Sequence, residues 1–508
     1  MNADKKTSDQ PLRVSRDCWL FADTCNVLVM KRGERAIAVD FGSGRWLKQL
    51  PALGIRGLDH VYLTHHHSDQ CAGLLSRPRW PFTIHAPVGE AEFLSPDGVR
   101  RLRHAPPGGC PASYDFLPRG LPHVAYDMAG FGDQYWGRER VRFLHTPGHG
   151  RHACSVILDS EDGRQIVACG DAVHVGGTIW QPYHLEWDHW TGEGALAAWE
   201  GLQRLGNIRC DVLGPAHGPV IDRGANAVIR QTARRLMALY AVKGQIYPGE
   251  RDQYLQPMRV TSCYRQLLPH LYQFGSNGYL VLNDDGQALV MDPFLEDQSA
   301  LRTLLRDLPG VRITACTASH YHWDHLDGGP WLRKQYGATF WLHPKVAEAF
   351  TDRYRHLWMK PTPVKPDRLL PDQGEWRWGG YRFQVAHWPG QTWWHCALMA
   401  MIDGRRVLFG GDSFQPPSRW NGTGGFCAAN GSRFREGFVV SAKRALAWNP
   451  DILATGHATF CRFVPARFRK VIAWALRAEA AVAALCPGGR MDEHYHAIAR
   501  AGLKKTRR

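Results

Sequence analysis

One ordered set of markers runs through this 508-residue chain twice. The apolar run Val61–Leu63 leads into Thr64-His65-His66-His67-Ser68-Asp69-Gln70. Val311–Ala318 leads into Ser319-His320-Tyr321-His322-Trp323-Asp324-His325, 255 positions later. Each stretch has a glycine four residues after its aspartate, Gly73 and Gly328. The strand-like run Val141–Leu144 is followed by His145-Thr146-Pro147-Gly148-His149, and Tyr381–Ala386 by His387-Trp388-Pro389-Gly390-Gln391. Next come strands ending in aspartate, Ile166–Asp171 and Val407–Asp412, and then Asp211–His217 and Asp451–His457. These last three pairs are offset by 242, 241 and 240 residues. Upstream, Cys25–Met30 and Ala36–Asp40 predict a hairpin around Lys31–Glu34, and Tyr279–Leu282 and Ala288–Asp292 predict its copy around Asn283–Gly286. The openings Pro11–Ser15 and Pro257–Thr261 also match. Repetition this long constrains the chain to fold as two like domains.

The expected layout is a disordered stretch over 1–10, one domain over 11–250, its copy over 257–503 and a basic tail over 504–508. The border falls in Gly244–Gln256, where glycine, proline and charged residues cluster. Helical periodicity recurs over Ala225–Ala241, with Val228, Ile229, Leu236 and Leu239, and over Phe468–Leu485, with Val471, Ile472 and Leu476 on one side. Ala105–Pro122 reads as a loop. Strands with polar loops at their ends, followed by helices, predict an α/β class of sheets covered by helices.

The chemistry sits on the polar loops. Three histidines and a carboxylate fall within the six residues His320–His325. Neutral imidazole and carboxylate are the usual nitrogen and oxygen ligands of zinc and similar ions. A single such cluster also fits a polar surface turn. The second copy weighs against that reading.

Composition narrows the setting. The thirteen cysteines form no C-x-x-C pair, which fits reduced thiols rather than a disulfide framework. Polar Met1–Gln10 carries no signal-peptide pattern, and no apolar stretch approaches the ~20 residues of a membrane span. A cytoplasmic protein that does not engage membranes is expected. The +15 charge is spread along the chain without a basic, aromatic-interleaved stripe. It reads as solvated surface, with some weight for an anionic small-molecule substrate and less for nucleic acid.

With these residues assembled, the chain resembles the metallo-β-lactamase superfamily, twice over. The resemblance implies two tandem αβ/βα sandwiches with metals on loops at one edge. It implies that His65, His67 and His149 form the first metal site of the N-terminal unit. Asp171 would bridge to a second site with Asp69 and His217, where Gln70 replaces an expected histidine. In the C-terminal unit His320 and His322 belong to the first site, whose third histidine is replaced by Gln391. Its second site is complete, with Asp324, His325, His457 and bridging Asp412. Gln70 and Gln391 are at best weak ligands, since an amide oxygen is a poorer donor to zinc than imidazole. One or two Zn²⁺ per domain are implied, with Fe²⁺ or Mn²⁺ as alternatives. The implied activity is hydrolysis of an ester, thioester, lactone, amide or phosphodiester by metal-activated hydroxide, with Asp69 and Asp324 also orienting the nucleophile. A nuclease, a mononuclear iron oxygenase and a non-catalytic binding protein with degenerate sites remain open alternatives. A fused pair could also mimic a twofold dimer, leaving the chain a monomer.

Several neighbours carry their own expectations. His66, between two ligands, should point away as a structural residue. Asp40 and Asp292 should hold ligand histidines from behind. His152 and His395 are candidates for a role beside the pocket, and His395 also for replacing Gln391. Cys71 should be a packed thiol, matching Leu326. Trp180, Trp187, Trp190, Trp393, Trp394 and Trp420 cluster after the motifs, and Asn421–Gly425 reads as a loop rather than an anion cradle.

Overall fold

The computed structural model describes residues 10–104, 117–180, 193–244, 251–351, 354, 357, 360–361, 364–419 and 431–487. Residues 1–9, most of the Ala105–Pro122 stretch, Trp187, Trp190, Trp420, Asn421–Gly425 and the basic tail lie outside the described residues. The rest divides into two compact units. One takes the described residues up to Tyr240 together with those from Ala481 onward, and the other takes Ala241–Ala480.

In the first unit a seven-stranded sheet runs in chain order: Leu12–Arg13, Cys18–Ala22, Asn26–Arg32, Arg35–Val39, Gly57–Tyr62, Thr83–Pro87 and Val124–Met128. The first four strands pair antiparallel and the last four parallel. A five-stranded sheet follows, ordered Val212–Pro215, Gln165–Gly170, Cys154–Asp159, Glu139–His145, Asp133–Trp136. The second unit repeats the plan with an eight-stranded sheet and a six-stranded sheet.

Burial explains why the strands read as unbroken apolar runs. In Asn26–Arg32, Val27 and Val29 join a cluster with Trp46, Leu50 and Leu94, on the helix-covered face. Leu28 and Met30 join Val141, Phe143 and Val156, from the other sheet. A strand buried on both faces has no polar alternation. The hairpins fall where expected, although Lys31 and Arg32 extend the first strand and pair with Ala36 and Arg35. That leaves a two-residue turn at Gly33-Glu34, with Gly33 at φ 59°.

The helices span Ala225–Gly244 and Pro465–Leu485. Ile229, Leu236 and Leu239 are buried as expected. In Pro465–Leu485 the buried face is Phe468, Val471, Trp474, Ala475 and Ala478, whereas Leu476 is 38% exposed. At 100° per residue Leu476 stands well off the Val471–Trp474–Ala478 line, so it does not share the expected face.

The paired glycines have a steric cause. Gly73 N donates to Gly42 O at 2.9 Å and Gly328 N to Pro293 O at 3.0 Å, so each motif helix touches the loop after the upstream strand. A Cβ on Gly73 would lie 2.4 Å from the Ser43 carbonyl carbon and 2.5 Å from its oxygen. Both obstacles are backbone and cannot swing aside. Gly73→Ala should therefore destabilise the protein by about 2 kcal/mol or more. Gly33→Ala, with open space but a left-handed φ, should cost nearer 1 kcal/mol. Thermal unfolding of the two variants checks the order.

Candidate metal centres

Each motif loop is held by an aspartate that follows the neighbouring strand. Asp40 and Asp292 follow their strands with φ 60° and 50°, and their amides bond Tyr62 O at 2.8 Å and Thr317 O at 2.9 Å on the neighbouring parallel strand. Each carboxylate then faces the next loop. Asp40 Oδ1 accepts from Thr64 N at 2.8 Å and Thr64 Oγ1 at 3.0 Å. Asp292 Oδ1 accepts from Ser319 N at 2.6 Å, and its Oδ2 from Ser319 Oγ at 3.0 Å. The hydroxyls pass this on: Thr64 Oγ1 lies 3.0 Å from His65 Nδ1, and Ser319 Oγ 3.0 Å from His320 Nδ1. Both aspartates thus hold a histidine from behind, through a hydroxyl. The outer nitrogen, Nε2, is turned towards Asp171 in the first unit, at 3.8 Å, and Asp412 in the second, at 3.9 Å. Burial pushes Asp40 up to about 8, with the Thr64 bonds opposing.

In the first unit His65, His67 and His149 converge. Their ring centroids lie 4.6, 4.8 and 4.7 Å apart, near edge-on, and one nitrogen of each lies within 4.8 Å of the others. All three are buried. Burial lowers the pKa of His65 and His67, which favours the neutral imidazole a metal requires. Asp171 Oδ2 is 3.4 Å from His149 Nε2 and 3.8 Å from His65 Nε2. The expected second site is arranged otherwise. His217 lies between the two carboxylates, Nε2 3.0 Å from Asp69 Oδ2 and Nδ1 2.8 Å from Asp171 Oδ1. Burial lowers its pKa, but Asp171 and Asp69 outweigh this and raise it to about 11. Gln70 is buried, with Nε2 3.5 Å from Asp171 Oδ2.

In the second unit two groups form. His320 and His322 converge with Asp412, and Asp324 with His325 and His457. Asp412 links them: Oδ1 is 3.3 Å from His325 Nε2, and Oδ2 3.1 Å from His457 Nε2. Burial would raise Asp412, but His457 and His325 hold it well below the usual carboxylate range. Gln391 donates Nε2 to Asp412 Oδ2 at 3.1 Å. Asp292 also reaches His325 Nδ1 at 3.4 Å, a contact with no counterpart at Gln70.

The other expectations sort clearly. His66 turns away and pairs with Glu90 at 2.7 Å, stacked on Phe93 at 4.3 Å. Cys71 is a packed thiol that donates to His66 O and His67 O. His152 pairs with Glu92 at 2.9 Å. His395 is buried, stacks on His320 at 4.9 Å and bonds Cys396 O through Nδ1. A Cβ on Gly411 would meet its Nε2 at 2.6 Å, which puts that nitrogen behind His320, beside the strand end. It belongs to none of the convergent groups among the described residues. Trp394 is buried, and Trp180 lies flat on His217 at 4.5 Å and 3°.

Two contributors escaped the sequence. Asn277 donates Nδ2 to Asp324 Oδ2 at 3.1 Å and to Asp324 O at 2.7 Å, while its Oδ1 accepts from His457 N at 2.6 Å. Gln415 donates to Asp412 Oδ1 at 3.2 Å and accepts from Thr459 Oγ1. The available signal was positional: Asn277 and Asn26 precede corresponding residues of the two hairpins.

The family model described as the metallo-beta-lactamase superfamily matches residues 20–222 and again 271–457. An atrochrysone carboxyl ACP thioesterase of Passalora fulva is 24% identical over 314 residues, covering 60% of this chain and 77% of that protein. A metallo-β-lactamase of Novosphingobium pentaromativorans is 17% identical with a TM-score of 0.35, over 45% of this chain and 88% of its own. One of Cronobacter sakazakii with an HARLDQ motif is 17% identical with a TM-score of 0.34, over 46% and 93%.

The His66–Glu90 pair yields a test. Both side chains are fully buried, so Glu90→Gln strips a buried imidazole of its charged partner and should cost about 3–5 kcal/mol at neutral pH. Burial would raise the Glu90 carboxyl, but His66 outweighs this and holds it below its usual 4.5. Its stabilisation is therefore present above about 4.5 and lost as pH falls through the lower folded value. The melting-temperature gap between the two proteins should narrow below that pH.

Proposed function

Because the chain belongs to the metallo-β-lactamase superfamily through both of its units, we propose that it is a metal-dependent hydrolase and that its substrate is a small thioester. The observation that carries the metal is a set of orphaned buried atoms. His65 Nε2, His320 Nε2, His325 Nε2 and Asp324 Oδ1 are enclosed and make no hydrogen bond. A buried polar atom left unpaired costs roughly 1–3 kcal/mol. Such atoms, in each unit beside other imidazoles and carboxylates, fit a ligand set better than a packing accident. His65, His67 and His149 suit an ion by donor type, with burial favouring neutral imidazole at His65 and His67, and Asp324, His325 and His457 with Asp412 suit one by donor type. The thioester is favoured by the Passalora fulva thioesterase among the relatives.

A divalent ion in such a place supplies Lewis acidity and makes water acidic enough to act as a nucleophile near neutral pH. The chain's own residues do the rest. Asp324 is oriented by Asn277 at two points, its backbone oxygen and Oδ2, which sets the carboxylate to hold an ion and direct water beside it. Asp69 is placed through Thr24 Oγ1, which donates to its backbone oxygen at 2.6 Å. Trp180, 38% exposed on the outer side of His217, offers an apolar wall for an acyl chain. No helix among the described residues is long and apolar enough to cross a membrane.

The test is elemental analysis of protein purified without chelator, alongside His65→Ala and His325→Ala. Each variant should lose about one transition ion per chain. Thioester hydrolysis should fall at least about 100-fold when the working unit loses its ion. Protein that takes up no metal even after reconstitution would contradict the hydrolase reading. Oxygen-dependent turnover with iron would replace it with the oxygenase.

A further inference from the structure

The two units differ at one pair of positions in a way that ties their second metal positions to sterics. Gly456 precedes His457, and Ala216 precedes His217 at the matching place. The backbones agree there: Gly456 N donates to Gly411 O at 3.0 Å, and Ala216 N to Gly170 O at 2.7 Å. Thr455 pairs with Gly411 as Pro215 pairs with Gly170. A Cβ on Gly456 would lie 2.1 Å from Asp412 Oδ1 and 2.6 Å from His325 Cε1. The His325 ring therefore occupies space that only a glycine leaves open. In the first unit the buried methyl of Ala216 stands at that place, and buried Gln70 holds the sequence position that His325 has in the second unit.

The following turn differs as well. His457 and Ala458 both take left-handed backbone, φ 57° and 55°, and His457 N is tied to Asn277. In the first unit His217 is not left-handed; Gly218 is, at φ 83°. Asn26, in the place of Asn277, binds Pro215 O and Gly218 O instead of a ligand. The His217 ring then spans from Asp69 to Asp171 with both nitrogens engaged, so the imidazole itself fills the gap between the carboxylates. Among the described residues, the convergent donor groups do not include Asp69, Asp171 and His217.

We propose that Gln70 and Ala216 are a matched pair that closes the second metal position of the first unit, as His325 and Gly456 are the matched pair that opens it in the second unit. The first unit then holds one ion, on His65, His67 and His149. This inference rests on the metal-binding reading above. It adds that changing residue 70 alone cannot restore the missing position.

The experiment counts zinc per chain in the full-length protein after equilibration with Zn²⁺ and desalting. It compares wild type, Gln70→His, Ala216→Gly and the double variant, with circular dichroism to confirm folding. The double variant should hold about one more ion than wild type, and Gln70→His alone should match wild type. A full extra ion in Gln70→His, or none in a folded double variant, overturns the pairing. If the double variant does not fold, Gly456→Ala decides: it should lose about one ion, and an unchanged count overturns the proposal. Wild type without zinc would instead sink the metal-binding reading itself, whereas a loaded wild type with an unresponsive double variant sinks only this inference.

Discussion

The hydrogen bonds of two buried aspartates set the geometry of both candidate metal centres. Asp40 and Asp292 are each pinned at a left-handed strand end and capped by the first residue of the next loop. Left-handed backbone is strained for an aspartate and persists only where the surroundings enforce it. Here the enforcement is the neighbouring parallel strand, whose carbonyl takes the aspartate's amide. The loop can then turn its histidines in only one way. Nδ1 of His65 and His320 meets a hydroxyl behind, and Nε2 is left facing Asp171 or Asp412. A histidine fixed from behind in this manner is a pre-organised ligand.

Duplication of that device explains the symmetry of the chain, and a few side chains explain where the symmetry breaks. Both units place an amide near the linking carboxylate, Gln70 on Asp171 and Gln391 on Asp412. Each amide supplies a neutral N–H where an imidazole is missing. The two losses fall at opposite positions, so the units are complementary rather than equivalent. In the first the tripod of imidazoles is whole; in the second the aspartate–histidine group around Asp412 is whole. On a fold that hosts many reactions, these sites and not the sandwich decide the chemistry.

Much of this was legible in the sequence because it is local. The histidines of each motif loop, His65 and His67 or His320, His322 and His325, sit within a few residues of one another and follow strands that read as plain apolar runs. The end-of-strand aspartates were legible for the same reason. What escaped depends on contacts between distant segments. Asn26 and Asn277 are the same residue in the same place, yet one clamps the loop around Pro215 and the other a ligand aspartate. The setting of the His217 ring depends on Asp69 and Asp171 arriving from two other loops. His395 falls level with Ala153, not with His152, yet it is buried and stacks on His320, a contact that spacing alone does not give. Leu476 shows the limit of periodicity over a long, alanine-rich helix, where the buried stripe is set by what packs against it.

The account stands or falls on where ions bind, and anomalous diffraction at the zinc edge from crystals of the zinc-loaded chain reads this directly. It predicts a peak among His65, His67 and His149, a peak among Asp324, His325 and His457, and none between Asp69 and Asp171. A peak between Asp69 and Asp171, or bare imidazoles at His65, His67 and His149, would contradict it.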